Sequence, residues 1–251
     1  MQYYGLTDLG LVREENQDNF RIVPLRGGAL LAVVCDGMGG ARGGSVAATI
    51  AVDVFSSKVR MLYDEQLGVG EKEPTDPQLI FRSALYFSNL SVFRQGQSNP
   101  MLRGMGTTIA AALVERDTAH LLHVGDSRIY SLYRGALTRL SHDHSYVQEL
   151  IDRGEITEEQ ARCHPQRNLV TRALGVQSDV VGEYSRRRLK PGELLLLCSD
   201  GLHGMLDDGA IAACLGQYDT PQTQVPALIR EANGRGGSDN ITAVVIGMDE
   251  R

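Results

Sequence analysis

Three apolar stretches of this chain each end in an aspartate followed by glycine or serine. Residues 30–35 are all apolar and run into Asp36-Gly37-Met38-Gly39-Gly40. Residues 194–198 run into Ser199-Asp200-Gly201, and residues 119–124 into Gly125-Asp126-Ser127. Apolar runs of this length read as strands buried on both faces. Acids delivered by such strands to one end of a fold make an oxygen-rich, negative pocket. Left alone, those carboxylates would raise one another's pKa. A hard divalent cation relieves the repulsion, and an all-oxygen donor set favours Mg²⁺ or Mn²⁺ over zinc. Asp239, before the last strand, and Asp18, at a strand entry, complete the candidate acids. Two such ions ~3.5–4 Å apart would hold and activate a bridging water for in-line attack on phosphorus. Arg13, in the loop before Asp18, has the planar fork that clamps phosphate oxygens.

Elements must position these residues. The pattern predicts strands over 2–7, 18–23 and 30–35, then a helix from Gly44 on the spacing of Val46, Ile50 and Val54. Residues 63–76 are acidic, with glycine and proline, and read as a surface loop. A second helix is expected over 77–95, with Ile80, Ala84, Phe87, Leu90 and Phe93 on its core face. Strands over 107–115, 119–124, 128–133 and 136–140 form a meander, with a hairpin turn at Arg134-Gly135. Residues 141–175 differ. Ser145 with Gln148, and Thr157 with Gln160, fit the caps of two short helices in a flap over a sheet edge. Strands follow at 180–189, 194–198 and 240–247. A helix capped at Asp207 or Asp208 lies between the last two, and another begins near Thr220-Pro221, delayed or kinked by Pro226. Hairpin strands separated by helix pairs predict an α+β fold with antiparallel sheets in one domain.

The 251 residues suffice for a sizeable core, and 42% apolar with 22% charged residues excludes disordered and fibrous classes. A net charge of −6 argues against nucleic acid as a partner. No apolar run is long enough to span a membrane, and no secretion signal is read at Met1, so the expected location is cytoplasmic. Cys35, Cys163, Cys198 and Cys214 lack metal-binding spacing and read as small apolar residues. His142-Asp143-His144 hints at dinuclear zinc hydrolases, but no Asp-His pair follows it. His120, His123 and His203 read as packing or surface residues.

Taken in order, eight motifs resemble the bacterial metal-dependent serine/threonine protein phosphatases of the PP2C, or PPM, type. They are Gly10 to Asp18 with Arg13 and Asn16, Asp36 to Gly40, Gly106-Thr107-Thr108, and Val124 to Arg128. Asp143-His144-Ser145, His164-Pro165 with Arg167-Asn168, Ser199 to Leu202, and Gly237 to Thr242 complete the set. The resemblance implies two antiparallel sheets packed face to face, flanked by helices on both sides, as an αββα sandwich. It implies that Asp36 bridges two ions, that the Gly37 carbonyl binds the second, and that Asp200 and Asp239 complete the first. Asp18 would orient water on the metals, Asp126 with Asp200 would hold a third ion, and Arg13 would bind the substrate phosphate. Phosphoprotein substrates, an opposing Ser/Thr kinase and a monomer follow from the same likeness. Two positions depart from the family pattern. Ala41 stands where a histidine is frequent and Ser45 where a glutamate is frequent, which leaves the leaving group without its usual proton donor.

Overall fold

The computed structural model describes residues 1–68 and 76–250, without the side chains of 41, 42 and 66–68. Among the described residues, eleven strands build two antiparallel sheets. The first holds β1 (Gln2–Asp8), β7 (Arg128–Tyr133), β8 (Ala136–Arg139), β10 (Leu194–Cys198) and β11 (Ile241–Gly247), in the order β1-β11-β10-β7-β8. The second holds β2 (Asp18–Pro24), β3 (Leu30–Met38), β5 (Ile109–Glu115), β6 (Thr118–Val124) and β9 (Glu183–Arg188) in sequence order, with the short β4 (Gly106–Thr107) on β3.

Alternation along the strands explains why they are apolar throughout. On β3, Leu31, Val33 and Cys35 face α1 (Gly40–Gly68) and α2 (Pro77–Ser98), while Leu30, Ala32 and Val34 face the other sheet. On β10, Leu196 and Cys198 face α6 (Asp208–Gln217) and α7 (Pro221–Gly234), while Leu195 and Leu197 meet Leu30, Ala32 and Val34 between the sheets. Helix pairs outside and sheets inside give the four expected layers. Two short flap helices, α3 (Tyr146–Asp152) and α4 (Glu158–Arg162), and one turn of helix after β10, α5 (Asp200–His203), complete the fold. Ser145 caps α3 and Thr157 forms a reciprocal capping box with Gln160 at α4, both as expected.

Several expectations need correction. Helix α1 starts at Gly40 and continues to Gly68, so residues 63–68 are helical and not loop; residues 69–75 lie outside the described residues. The buried face of α2 is Ile80, Phe81, Ala84, Leu85, Ser88, Asn89 and Val92, whereas Phe87 is exposed. Polar residues turn inward here because Asn89 bonds the backbone of Gln177 and Gly175, which ties the far end of the flap to α2. The strand expected over 107–115 breaks at Thr108, which serves the site instead. Strand β9 is shorter than 180–189, and α7 starts at Pro221 and runs through Pro226.

Candidate active site

The strand-end acids meet at one end of the sandwich. Asp18 and Asp36 stand directly opposite each other where β2 pairs with β3. The Asp36 peptide is held on both sides: its N–H donates to Thr108 Oγ1 at 2.9 Å, and its carbonyl accepts from Thr107 Oγ1 at 2.8 Å and Thr108 N at 2.9 Å. Thr108 Oγ1 is also 2.7 Å from Ser127 Oγ, which links the Asp36 and Asp126 segments. Asp200 opens α5 straight from β10, and Asp239 sits one residue before Asn240 at the entry to β11.

Glycine follows Asp36 and Asp200 for space, not for a left-handed backbone. A methyl on Gly37 would lie 2.1 Å from the Gly44 carbonyl oxygen, and one on Gly201 would lie 2.0 Å from that of Asn240. Backbone therefore packs on backbone behind each acid, and only glycine admits that approach.

The carboxyls feel burial and one another. Asp18 is pushed up to about 7, by burial first, although Ser199 and Thr242 hydroxyls donate to its Oδ2 at 2.6 and 2.7 Å. Burial and then Asp18 and Asp200 hold Asp36 well above the usual carboxylate range, and burial and then Asp200 do the same for Asp126. Asp200 rises to about 6, by burial and then Asp239, against a hydrogen bond from Asp36. Four acids, Asp18 and Asp126 buried and Asp36 and Asp200 half-buried, all with raised pKa values and all oxygen donors, fit a hard divalent cation.

Arg13 reaches this centre, but its immediate partner is Asp239, with Nη2 at 2.6 Å from Oδ2 and the side chain half exposed. The segment carrying Asp126 is clamped by two histidines. His144 Nδ1 accepts from Gly125 N at 3.0 Å and His144 N donates to Gly125 O at 2.7 Å, while His203 Nε2 donates to Asp126 O at 3.0 Å. Burial pushes His203 down to about 3, so it stays neutral. The sequence reading of His203 as packing missed this contact, for which residue type alone offers no signal. The motif His142-Asp143-His144 scatters: His142 pairs with Asp152, Asp143 takes Arg128 in a two-pronged bridge, and His144 turns to Gly125 and Glu183. No zinc pair forms from it.

Among the described residues, His123, His144 and Glu183 bring ligand-type atoms within 4.8 Å of one another. Hydrogen bonding decides what they do. Because His144 Nδ1 accepts an amide proton, its own proton sits on Nε2 and points to Glu183 Oε1 at 2.9 Å, with Arg172 Nη1 also 2.9 Å away. His144 thus has no lone pair for a cation, and the group is a hydrogen-bonded support behind Asp126. Of the two departures from the family pattern, the Ala41 side chain lies outside the described residues. Ser45 Oγ donates to Glu15 Oε1 at 2.7 Å, so a carboxylate stands beside that position, supplied by the Arg13 loop.

A cleft of about 400 Å³ opens beside the acids. Val147, Arg162 and Arg167 of the flap line it together with Asp126, Asp200 and Asp239. No helix among the described residues is long and apolar enough to cross a membrane.

A two-sheet sandwich that gathers acids for hard cations beside an arginine and a peptide-sized cleft defines a phosphoester hydrolase. Comparison with known proteins gives the family. The profile of the protein phosphatase 2C family matches residues 12–224. The serine/threonine phosphatase stp of Listeria monocytogenes is 35% identical over 243 residues, covering 97% of this chain and 94% of the relative. Among solved structures, the Mycobacterium tuberculosis serine/threonine phosphatase PstP/Ppp superposes with a TM-score of 0.87 at 34% identity, over 99% of each chain. The catalytic domain of PstP in complex with two manganese ions gives a TM-score of 0.84 at 32% identity, over 99% of this chain and 98% of that one. The chain belongs to the protein phosphatase 2C family, the serine/threonine phosphatases.

Proposed function

We propose that this chain hydrolyses phosphoserine and phosphothreonine in proteins with two Mn²⁺ or Mg²⁺ ions and a third beside them, as one catalytic domain over 1–251. The observation that carries the reading is the convergence of Asp18, Asp36, Asp126 and Asp200 at one sheet end, each with its pKa raised by burial and neighbouring acids. Asp36, the Gly37 carbonyl, Asp200 and Asp239 would hold the two ions, and Asp126 with Asp200 would hold the third. When bound, the ions lower the pKa of a water between them and offset charge on the phosphoryl oxygens.

The chain's own groups do the rest. The Asp18 Oδ2 is spent on the Ser199 and Thr242 hydroxyls, which fixes the carboxylate plane and reserves Oδ1 to orient the attacking water. Arg13, half exposed, turns its fork from Asp239 to the substrate phosphate, where two parallel N–H···O bonds fit. Residues 141–175 form a flap that shapes access for phosphopeptides, and the cleft beneath it receives residues flanking the phosphoamino acid. Such an enzyme works in the cytoplasm as a monomer, against a Ser/Thr kinase.

The test is hydrolysis of a phosphothreonine peptide. Mn²⁺ or Mg²⁺ should switch it on, a chelator should abolish it, and no covalent phosphoenzyme should be trapped, since the nucleophile is water. Turnover that survives complete chelation overturns the proposal.

A further inference from the structure

Asn240 follows Asp239, and its side chain is 5% exposed. Neither cation nor phosphate chemistry asks for an amide at this place, yet all its bonds go to one segment. Its Nδ2 donates to the carbonyls of Leu9 at 2.9 Å and Glu15 at 3.0 Å, and its Oδ1 accepts from the N–H of Gln17 at 2.8 Å. Residues 9–17 have no regular secondary structure and carry Arg13. Asn240 therefore grips this loop at its beginning and twice at its end. Other ties each hold a single point: Gly10 N to Asp8 Oδ1 at 2.9 Å, Leu11 N to Gly237 O at 2.7 Å, Arg13 Nη2 to Asp239 Oδ2 at 2.6 Å, Ser45 Oγ to Glu15 Oε1 at 2.7 Å, Asn16 Nδ2 to Thr7 Oγ1 at 2.9 Å and Gln17 Nε2 to Gly40 O at 3.1 Å.

The three partner groups specify the side chain. Two carbonyls need two donors and one N–H needs an acceptor, at the reach of a short planar amide. Aspartate at this position would point lone pairs at two carbonyl oxygens, and an apolar residue would leave three backbone groups unpaired. The grip also extends into the acids, because Gln17 O accepts from Gly37 N at 3.1 Å.

We infer that Asn240 is a positioning residue for Arg13: its amide closes the loop so that the guanidinium is set against the acids before substrate arrives. The inference rests on the reading that Arg13 binds the substrate phosphate. An arginine on an unpinned loop samples many positions, and its bidentate contact loses the benefit of preorganisation.

The experiment is a double-mutant cycle on phosphate affinity. Inorganic phosphate is the competing ligand against p-nitrophenyl phosphate, and its Ki is measured at saturating Mn²⁺ for the parent chain, Arg13→Ala, Asn240→Ala and the double variant. Titration calorimetry gives Mn²⁺ affinity for each, and hydrogen exchange reports the loop over residues 9–17. With Arg13 present, Asn240→Ala should raise the Ki roughly 10- to 100-fold, the scale of a misplaced binding group. With Arg13 absent, the added effect should stay under about threefold, and Mn²⁺ affinity should hold within about threefold. Asn240→Asp keeps the size and the Gln17 acceptor but loses both donors, and should behave like Asn240→Ala. Loss of exchange protection over 9–17 should accompany both.

If Arg13→Ala leaves the Ki unchanged, the phosphate-binding reading itself falls, and the inference with it. If Arg13→Ala raises the Ki but Asn240→Ala acts equally in both backgrounds, does nothing, or weakens Mn²⁺ in step, that reading stands and the positioning role is refuted. Failure of both Asn240 variants to fold would make the residue part of the scaffold, which also refutes the role.

Discussion

Asp18→Asn should stabilise the metal-free protein at pH 8 while removing activity. The buried Asp18 carboxyl is raised from 3.8 to about 7, chiefly by burial. Between about pH 4 and pH 7 the folded protein keeps a proton that the unfolded chain has lost. Stability therefore falls as pH rises through that window and levels off above it. Converted at 1.36 kcal/mol per pH unit, the ionised carboxylate costs the metal-free fold ~4 kcal/mol above pH 7, part of it shared with Asp36 and Asp200. Asparagine keeps an acceptor for the Ser199 and Thr242 hydroxyls. It also brings an N–H₂ group whose burial without a partner costs ~1–3 kcal/mol. The net gain is about 1–3 kcal/mol, or a Tm rise of roughly 2–10 °C for a chain of this size. The assay is thermal unfolding of both proteins in chelator at pH 5, 6, 7 and 8. At pH 5 the folded Asp18 is neutral while the unfolded one is ionised, so ~2 kcal/mol of the cost remains; burial of the asparagine N–H₂ group offsets it, and the advantage should vanish. Saturating Mn²⁺ should reverse the order, because only the parent chain gains its full binding energy. A Tm difference that is the same at pH 5 and pH 8, or a variant that melts lower at pH 8 without metal, would refute the reasoning.

Two further outcomes follow from the same centre. Asp126→Ala should lower the Mn²⁺ stoichiometry in calorimetry by one and leave the other two ions bound, since Asp36 and Asp239 are untouched; loss of all three would contradict the assignment. Because Arg162 of the flap lines the same cleft as the acids, Arg162→Ala should slow a phosphothreonine peptide several-fold more than p-nitrophenyl phosphate. Equal effects on both substrates would remove the flap from peptide recognition.

How far the sequence disclosed this site depends on whether a residue's type and its place say the same thing. Asp36 and Asp200 were legible because the same pattern of an acid after an apolar strand recurs, where a single such acid is more often a turn residue, and the glycine behind each marks backbone packed on backbone. Helix α2 was placed well, with Ile80 and Ala84 buried as expected, but its face is rotated so that Phe87 is exposed. Its aromatic stripe suggested the core, but Ser88 and Asn89 take that face because Asn89 has backbone partners in the flap, a contact no helical periodicity encodes. Residues 63–68 looked like loop from their acidic composition, yet α1 carries them as its last turns. The least legible feature is the one that sets Arg13. Asn240 was visible only as a letter in a motif beside Asp239, since its partners are the carbonyls of Leu9 and Glu15 and the N–H of Gln17. Those groups are the same in every sequence. A side chain that recognises backbone leaves no complementary residue type to be found, so its role emerges only when the fold brings residues 9–17 back against the start of β11.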